Sequence, residues 1–140
     1  MPEISRYAVV EDGAELADDV RVGPFTYIGP HVRVGQGCVI DNNVTLTGRC
    51  VLGQRNRIHP LAVIGVGPDG SASDAQVVLG DANVIHEHAT ICAGTNPPTR
   101  IGTDNLIMIG CRIGQSCQIG DHGIFVNSTH VGARARIEDY

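Results

Sequence analysis

The amino-acid sequence predicts an all-β protein, folded as one parallel solenoid domain over residues 1–140, and three observations point to this fold class. Bulky aliphatic residues recur every six positions through most of the chain. A small or medium residue stands two positions before most of them, so both side chains point to the same side of a strand. Glycine accounts for 18 of 140 residues, whereas aromatic residues make up only 4%. An α-helix, with about 3.6 residues per turn, cannot use a six-residue period.

Short strands of a solenoid can use this period, because three six-residue units complete one 18-residue coil of a triangular prism. The repeats in this chain predict about seven coils. Each aliphatic side chain then stacks on its equivalent in the next coil, which produces three internal columns. The first predicted column consists of Ile4, Val22, Ile40, Ile58, Ile85, Ile107 and Phe125, and the other two begin at Val10 and Leu16.

A glycine follows the third aliphatic column, and its spacing locates two short looped-out insertions. The ladder consists of Gly35, Gly53, Gly80, Gly102 and Gly120. Its intervals are 18, 27, 22 and 18 residues, so the two middle intervals exceed one coil by nine and four residues. We therefore predict one insertion near residues 67–75 and a second near Asn96 to Thr99.

The same register assigns structural roles to several polar and thiol side chains. The small inward positions are occupied in four places by Cys38, Cys50, Cys111 and Cys117, which predicts buried packing residues. Another column contains Asn56, Asn83 and Asn105. Because asparagine tolerates left-handed backbone and bonds to neighbouring backbone groups, this column predicts a ladder of turns.

Charge and composition exclude several classes of protein. Ten basic residues, all of them arginine, stand against fifteen acidic ones for a net charge of −5, which argues against nucleic-acid binding and a polybasic membrane patch. No apolar run approaches the roughly 18 residues of a membrane span, and the first residues lack a signal-peptide pattern. Five cysteines without a CxxC pair fit reduced thiols. We therefore expect a cytoplasmic protein with no membrane span.

Three stretches resemble the UDP-N-acetylglucosamine O-acyltransferase family of hexapeptide-repeat proteins. They are VGPFTYIGPHVRVGQG (Val22 to Gly37), GDANVIHEHATICAGT (Gly80 to Thr95) and TRIGTDNLIMIGCRIGQSC (Thr99 to Cys117). The resemblance implies a left-handed parallel β-helix and a homotrimer. It also implies transfer of a hydroxyacyl group from acyl carrier protein to the sugar 3-hydroxyl of a nucleotide sugar, the first step of lipid A synthesis.

The resemblance also identifies candidate site residues, several of which depart from the family pattern. At the position of the family's general-base histidine this chain has Gln115. At two further family histidines it has Arg112 and Cys92, which are candidates for substrate binding. The family continues with further coils and a C-terminal helical domain, whereas this sequence ends at Tyr140. We therefore expect a truncated family member with altered catalytic positions.

Three histidines could replace the missing base or bind substrate. His130 follows Arg112 by 18 residues, so it stacks one coil beyond that residue and is the best-placed substitute. His86 is a second catalytic candidate, because it lies one coil from His59 and beside a carboxylate that could orient it. His88 is a candidate for substrate binding.

Two functions from different classes remain open. The first is acyl transfer to a nucleotide sugar, with a histidine as general base, acyl carrier protein or a coenzyme A thioester as donor and no covalently bound cofactor. The second is a non-catalytic scaffold or ligand-binding relative. A zinc carbonic anhydrase built on the same prism would need a His-x4-His pair, which the corresponding stretch lacks, so we expect no metal. Outward apolar residues at Phe25, Tyr27 and Met108 favour a homotrimer.

Overall fold

The computed structural model describes residues 1–67 and 74–140, and every regular element in these ranges is a short strand. These ranges include no helix with the length and hydropathy needed to cross a membrane. The described strands form three parallel sheets of seven strands each. The first sheet contains β1 (Glu3–Ile4), β4 (Arg21–Val22), β7 (Val39–Ile40), β10 (Arg57–Ile58), β13 (Val84–Ile85), β16 (Leu106–Ile107) and β19 (Ile124–Phe125).

The chain visits the other two sheets in turn before it returns to the first. The second sheet contains β2 (Val9–Val10), β5 (Tyr27–Ile28), β8 (Thr45–Leu46), β11 (Val63–Val66), β14 (Thr90–Cys92), β17 (Arg112–Ile113) and β20 (His130–Val131). The third sheet contains β3 (Glu15–Leu16), β6 (Arg33–Val34), β9 (Arg49–Leu52), β12 (Gln76–Leu79), β15 (Thr99–Ile101), β18 (Gln118–Ile119) and β21 (Arg136–Ile137).

Each strand of the inner coils pairs with the strands three places before and after it in the chain, so three successive strands make one coil. Ile58, for example, lies in register with Ile40 on one side and Ile85 on the other. This pairing confirms the predicted columns. The architecture is a parallel β-helix of seven coils, in agreement with the left-handed β-helix that the resemblance implies.

The inside of the prism is filled by the aliphatic columns. Ile58, Ile85 and Ile107 have no exposed surface, and burying such a side chain contributes about 1.5–3 kcal/mol. All five cysteines are buried and unpaired, as predicted for four of them. Complete burial raises the pKa of the Cys50 thiol to about 12, so this thiol stays protonated and inert.

The predicted glycine ladder is confirmed, and its cause is the close approach of successive coils. A Cβ atom on Gly53 would lie 2.6 Å from the carbonyl oxygen of Gly80, and one on Gly80 would lie 2.6 Å from that of Gly102. Real Cβ atoms do not approach backbone oxygens so closely. Glycine is therefore required because any side chain would push the neighbouring coil away.

The asparagine column is also present, and its side chains bond to neighbouring backbone groups as expected, but the expectation of left-handed backbone at the asparagines is wrong. The residues with left-handed backbone are those just before the asparagines, such as Ala82 with φ 55° and Asp104 with φ 60°. The asparagines themselves point inward and are buried. Asn83 Oδ1 accepts a 2.8 Å hydrogen bond from the Asn105 N–H, and Asn83 Nδ2 donates one of 2.8 Å to the Gly102 carbonyl. The column thus satisfies buried backbone groups between coils.

Both insertions leave the prism at the same corner, between the second and third sheets. The first falls between Val66 and Gln76, and its residues 68–73 lie outside the described residues. The second was predicted to include Thr99, which instead begins β15 and is buried inside the prism. Gln76 and Gly94, at the bases of the two insertions, exchange backbone hydrogen bonds of 2.9 and 3.1 Å.

Candidate active site

A groove of about 330 Å³ lies on the second sheet at the last three coils. Its walls include Cys92 at the end of β14, Arg112 and Gln115 from the sixth coil, and His130 from the seventh. Parallel pairing positions these residues, because Arg112 is in register with Thr90 on one side and His130 on the other. Four of the six site residues predicted from the sequence therefore meet in one groove.

Arg112 and His130 point outward from neighbouring strands. Outward side chains of paired residues in a sheet lie side by side, so the guanidinium and the imidazole face the same solvent space. Both residues are exposed. The groove therefore offers one fixed positive charge next to an imidazole ring, whose nitrogens can donate or accept a hydrogen bond.

Gln115 lies on the turn that follows β17, and the backbone holds this turn in place. Its carbonyl oxygen accepts a 2.8 Å hydrogen bond from the Arg134 N–H of the next coil. The following residue, Ser116, has left-handed backbone with φ 60°. The Gln115 side chain is half-buried beside the groove and carries an amide, which can donate or accept a hydrogen bond but cannot act as a base at neutral pH.

A buried network behind the groove was not foreseen from the sequence. The Thr99 hydroxyl donates a 2.7 Å hydrogen bond to the Cys92 carbonyl and accepts one of 2.8 Å from the Ser116 N–H. Ser116 Oγ in turn donates to the Thr95 carbonyl at 3.2 Å. These bonds tie the wall at Cys92 to the turn that carries Gln115. The buried role of Thr99 could have been predicted from the sequence. Thr99 stands two residues before the third aliphatic column, and the equivalent residues of the other coils, such as Val77 and Cys117, are apolar or thiol side chains.

The Cys92 side chain forms part of the wall and is only 2% exposed. Its backbone is fixed in β14, where it pairs with Val66 of β11. A side chain so enclosed contacts a ligand only through a small surface, which suits packing or shape selection better than nucleophilic attack.

Arg134 is a second basic residue that sequence reasoning did not assign to the site. Its Nη1 donates a 3.1 Å hydrogen bond to the carbonyl of Asn96, which lies in the second insertion. Together with its backbone bond to Gln115, this contact links the last coil, the groove and the insertion. This contact depends on the path of the insertion, which the repeat does not predict.

The remaining two predicted residues lie at a different corner of the prism, between the first and second sheets. His86 follows β13, and its ring stacks on that of His59 with 4.5 Å between centroids and 9° between planes. His88 is exposed on the turn, with φ 62°. Neither residue is among those that line the groove.

The comparisons with known proteins agree with the fold and with the resemblance. Residues 31–65 match the family described as bacterial transferase hexapeptide (six repeats). The chain is 39% identical over 127 residues to the acyl-(acyl-carrier-protein)-UDP-N-acetylglucosamine O-acyltransferase of Saccharophagus degradans, which covers 86% of this chain and 49% of the relative. It is 35% identical over 136 residues to the enzyme of the same name from Syntrophobacter fumaroxidans, covering 93% of this chain and 53% of that protein.

Solved structures give the same picture. The UDP-N-acetylglucosamine acyltransferase of Francisella novicida superposes with a TM-score of 0.92 and 37% identity over 98% of this chain and 52% of that one. The Acinetobacter baumannii structure, called LpxA, superposes with a TM-score of 0.90 and 32% identity over 95% of this chain and 54% of that one. The chain spans about half the length of the curated relatives it matches.

Proposed function

Because the chain belongs to the UDP-N-acetylglucosamine O-acyltransferase family of hexapeptide-repeat proteins, we propose that its groove transfers an acyl group to a sugar hydroxyl of a nucleotide sugar. The acyl donor is a thioester of acyl carrier protein, with coenzyme A as the simpler alternative. The observation that carries the proposal is the convergence of Arg112, Gln115 and His130 from two coils on one groove. The proposed reaction is the one that the resemblance assigns to lipid A synthesis.

The proposed chemistry is a direct transfer with His130 as general base. The imidazole removes the proton from the sugar hydroxyl as its oxygen attacks the thioester carbonyl carbon. The tetrahedral intermediate then collapses, so the carbon–sulfur bond breaks and the ester forms. The thiolate that leaves takes the proton back from the His130 imidazolium, and no net proton or electron is left over.

Arg112 and Gln115 stabilise charge in this proposal. The Arg112 guanidinium binds the phosphate oxygens of the nucleotide, because its planar donors match an oxyanion pair. The Gln115 amide N–H donates to the carbonyl oxygen as negative charge develops on it. Arg134, which donates a hydrogen bond to the Asn96 carbonyl, extends the positive surface from the groove toward the second insertion.

A second candidate function is ligand binding without transfer, and Gln115 is the observation that favours it. The resemblance assigns a histidine to this position, and loss of a general base costs about 10²–10⁴ in rate. In this case the groove keeps its affinity for the nucleotide sugar, while no acylated product forms.

Steady-state and single-turnover assays with hydroxyacyl carrier protein and UDP-N-acetylglucosamine test the proposal. We expect His130→Ala to reduce kcat by at least a hundredfold with little change in KM, and His31→Ala, an exposed histidine on the second coil, to leave both unchanged. Measurable transfer that His130→Ala does not alter would exclude His130 as the base. Binding with no transfer in the wild-type protein would establish the second candidate function.

We further propose that the chain functions as a homotrimer in the cytoplasm. Two of the three outward residues named in the sequence analysis, Tyr27 and Met108, are half-buried, while Phe25 is 66% exposed. Stronger support comes from Ile124 and Val126 on the last coil, which are 69% and 61% exposed, because a monomer would leave this apolar surface in water. The five reduced cysteines support the location.

Sedimentation velocity tests the assembly. We expect a trimer that the double variant Ile124→Glu/Val126→Glu dissociates, while the matched change Val9→Glu on the second sheet leaves it intact. A wild-type monomer at micromolar concentration would refute the proposal.

A further inference from the structure

Two imidazoles and two carboxylates meet at the corner between the first and second sheets, on three successive coils. They belong to Asp41, His59, His86 and Glu87. Glu87 Oε1 lies 3.2 Å from His86 Nδ1 and 4.0 Å from His59 Nδ1. Asp41 Oδ2 lies 3.6 Å from His59 Nδ1. Potential ligand atoms of His59, His86 and Glu87 all lie within 4.8 Å of one another.

The backbone beneath this cluster is rigid, because the residues directly follow paired strands. Asp41, His59 and His86 are the first residues after β7, β10 and β13. The Asp41 N–H donates to the Ile58 carbonyl at 2.9 Å, and the His59 N–H donates to the Ile85 carbonyl at 2.8 Å. The spacing of coils therefore fixes the spacing of the four side chains.

The charged surroundings favour a cation. Asp41 is 20% exposed and pairs with Arg57, whose Nη2 lies 3.1 Å from its Oδ2. Arg57 balances one of the two carboxylates, and Glu87 carries a negative charge that, within residues 1–67 and 74–140, pairs with imidazoles and with no arginine. The His59 and His86 side chains are only 25% and 29% exposed, which limits competition from water.

We propose that His59, His86 and Glu87 bind a divalent transition-metal ion of the zinc class, with Asp41 adding negative charge beside His59. Two imidazole nitrogens and one carboxylate oxygen are ligands that zinc, cobalt and nickel prefer, whereas calcium and magnesium prefer oxygen alone. Zinc bonds of about 2.0–2.2 Å place neighbouring ligand atoms roughly 3.3 Å apart in a tetrahedron. The separation of 3.2 Å between Glu87 and His86 already matches this value.

Closure around an ion requires the stacked rings to turn. Ring planes that are nearly parallel cannot both aim a lone pair at the same point. Rotation about the Cβ–Cγ bond of either histidine brings its nitrogen toward Glu87, and such terminal torsions have broad, shallow preferences. Because the backbone stays fixed, the ion would tie the fourth and fifth coils together at a corner distinct from the groove.

Zinc and cobalt titrations of the untagged full chain, first stripped of metal with a chelator, test this site. We expect one ion per chain by calorimetry and a thermal midpoint that rises by several degrees when zinc is in excess. The double variant His59→Gln/His86→Gln should lose the binding. Asp41→Asn should weaken it by less than the double variant does, because only the negative charge beside His59 is lost.

His122→Gln is the matched control, because His122 Nδ1 lies 2.8 Å from Asp104 Oδ2 in a pair with only one imidazole. It should bind zinc like the wild type. Far-ultraviolet circular dichroism without metal checks that every variant is folded. Zinc uptake unchanged in the double variant, or absence of uptake in the wild type, would overturn the proposal, as would a thiolate charge-transfer band in the cobalt spectrum.

Discussion

The middle coils and the end coils of this prism follow the same six-residue pattern, yet they differ sharply in burial. In the first column Ile58 and Ile85 are completely buried, whereas Ile4 at the first coil is 42% exposed. Phe125 of the last coil is 7% exposed, and Ile137, which ends the third column, is only half-buried. The difference shows that a coil gains its stability from the coils on both sides of it, as in other solenoids.

Truncation of one core side chain in a middle coil and one in an end coil should give the largest difference in stability between the two regions. We expect Ile58→Ala to lower the free energy of unfolding by about 2–5 kcal/mol, because it opens a cavity that the rigid coils cannot close. Ile4→Ala should cost less than about 1 kcal/mol, since its side chain is already partly in water. Urea denaturation followed by circular dichroism measures both values, and equal losses would contradict the comparison.

The glycine ladder of the middle coils provides the next test. Gly80→Ala should destabilise the protein by about 1–3 kcal/mol, because its new Cβ would meet the Gly102 carbonyl at 2.6 Å and force the coils apart. Gly132→Ala on the last coil is the matched control, since no atom of the described residues lies within 4 Å of its Cβ position. We expect the control to be neutral or slightly stabilising. A tolerated Gly80→Ala would mean that the coils can separate freely.

Loss of one asparagine from the buried column should have an effect of about the same size as the glycine change. Asn83→Ala leaves the Asn105 N–H and the Gly102 carbonyl without their hydrogen-bond partner, which costs about 1–3 kcal/mol. Asn42→Ala is the control, because this exposed amide donates to the neighbouring Asn43 side chain and not to a buried backbone group of another described coil. Thermal unfolding of the two variants distinguishes them. Equal midpoints would show that water satisfies the freed groups.

The smallest expected effect is a pH dependence that arises in the middle coils. Burial, then the neighbouring His86 and Arg57, lower the pKa of His59, against the opposite influence of Asp41 and Glu87. Between the lowered pKa of His59 in the folded chain and its ordinary pKa of about 6.5, the unfolded chain therefore binds more protons than the folded one. The contribution of His59 to the free energy of unfolding should be fully present above a pH of about 6.5. It should be lost as the pH falls through the lowered pKa of His59 in the folded chain. In chelator, His59→Gln should flatten the slope, and an unchanged slope would exclude His59 as its source.

The repeat made most of this structure predictable, because an 18-residue coil fixes which residues stack. It placed Ile58 between Ile40 and Ile85, and it brought His130 over Arg112. Side-chain direction was less predictable. The asparagines were expected at the left-handed positions, which their predecessors occupy instead, and Thr99 was expected in the loop although it is buried.

The cluster of Asp41, His59, His86 and Glu87 was only partly predictable from the repeat. The stacking of His59 on His86 follows from the register, but the approach of Asp41 from the third coil and of Glu87 from the fifth depends on rotamers that no repeat encodes. The contact of Arg134 with Asn96 likewise depends on the path of an insertion.

Binding of a nucleotide sugar in the groove on the last coils is tested most directly by a titration of the isotope-labelled full chain with UDP-N-acetylglucosamine. We predict that the amide resonances of Cys92, Arg112, Gln115 and His130 shift together with saturation, and that Arg112→Ala weakens the binding. Shifts confined to the corner of His59 and His86, or none at millimolar ligand, would contradict binding in the groove.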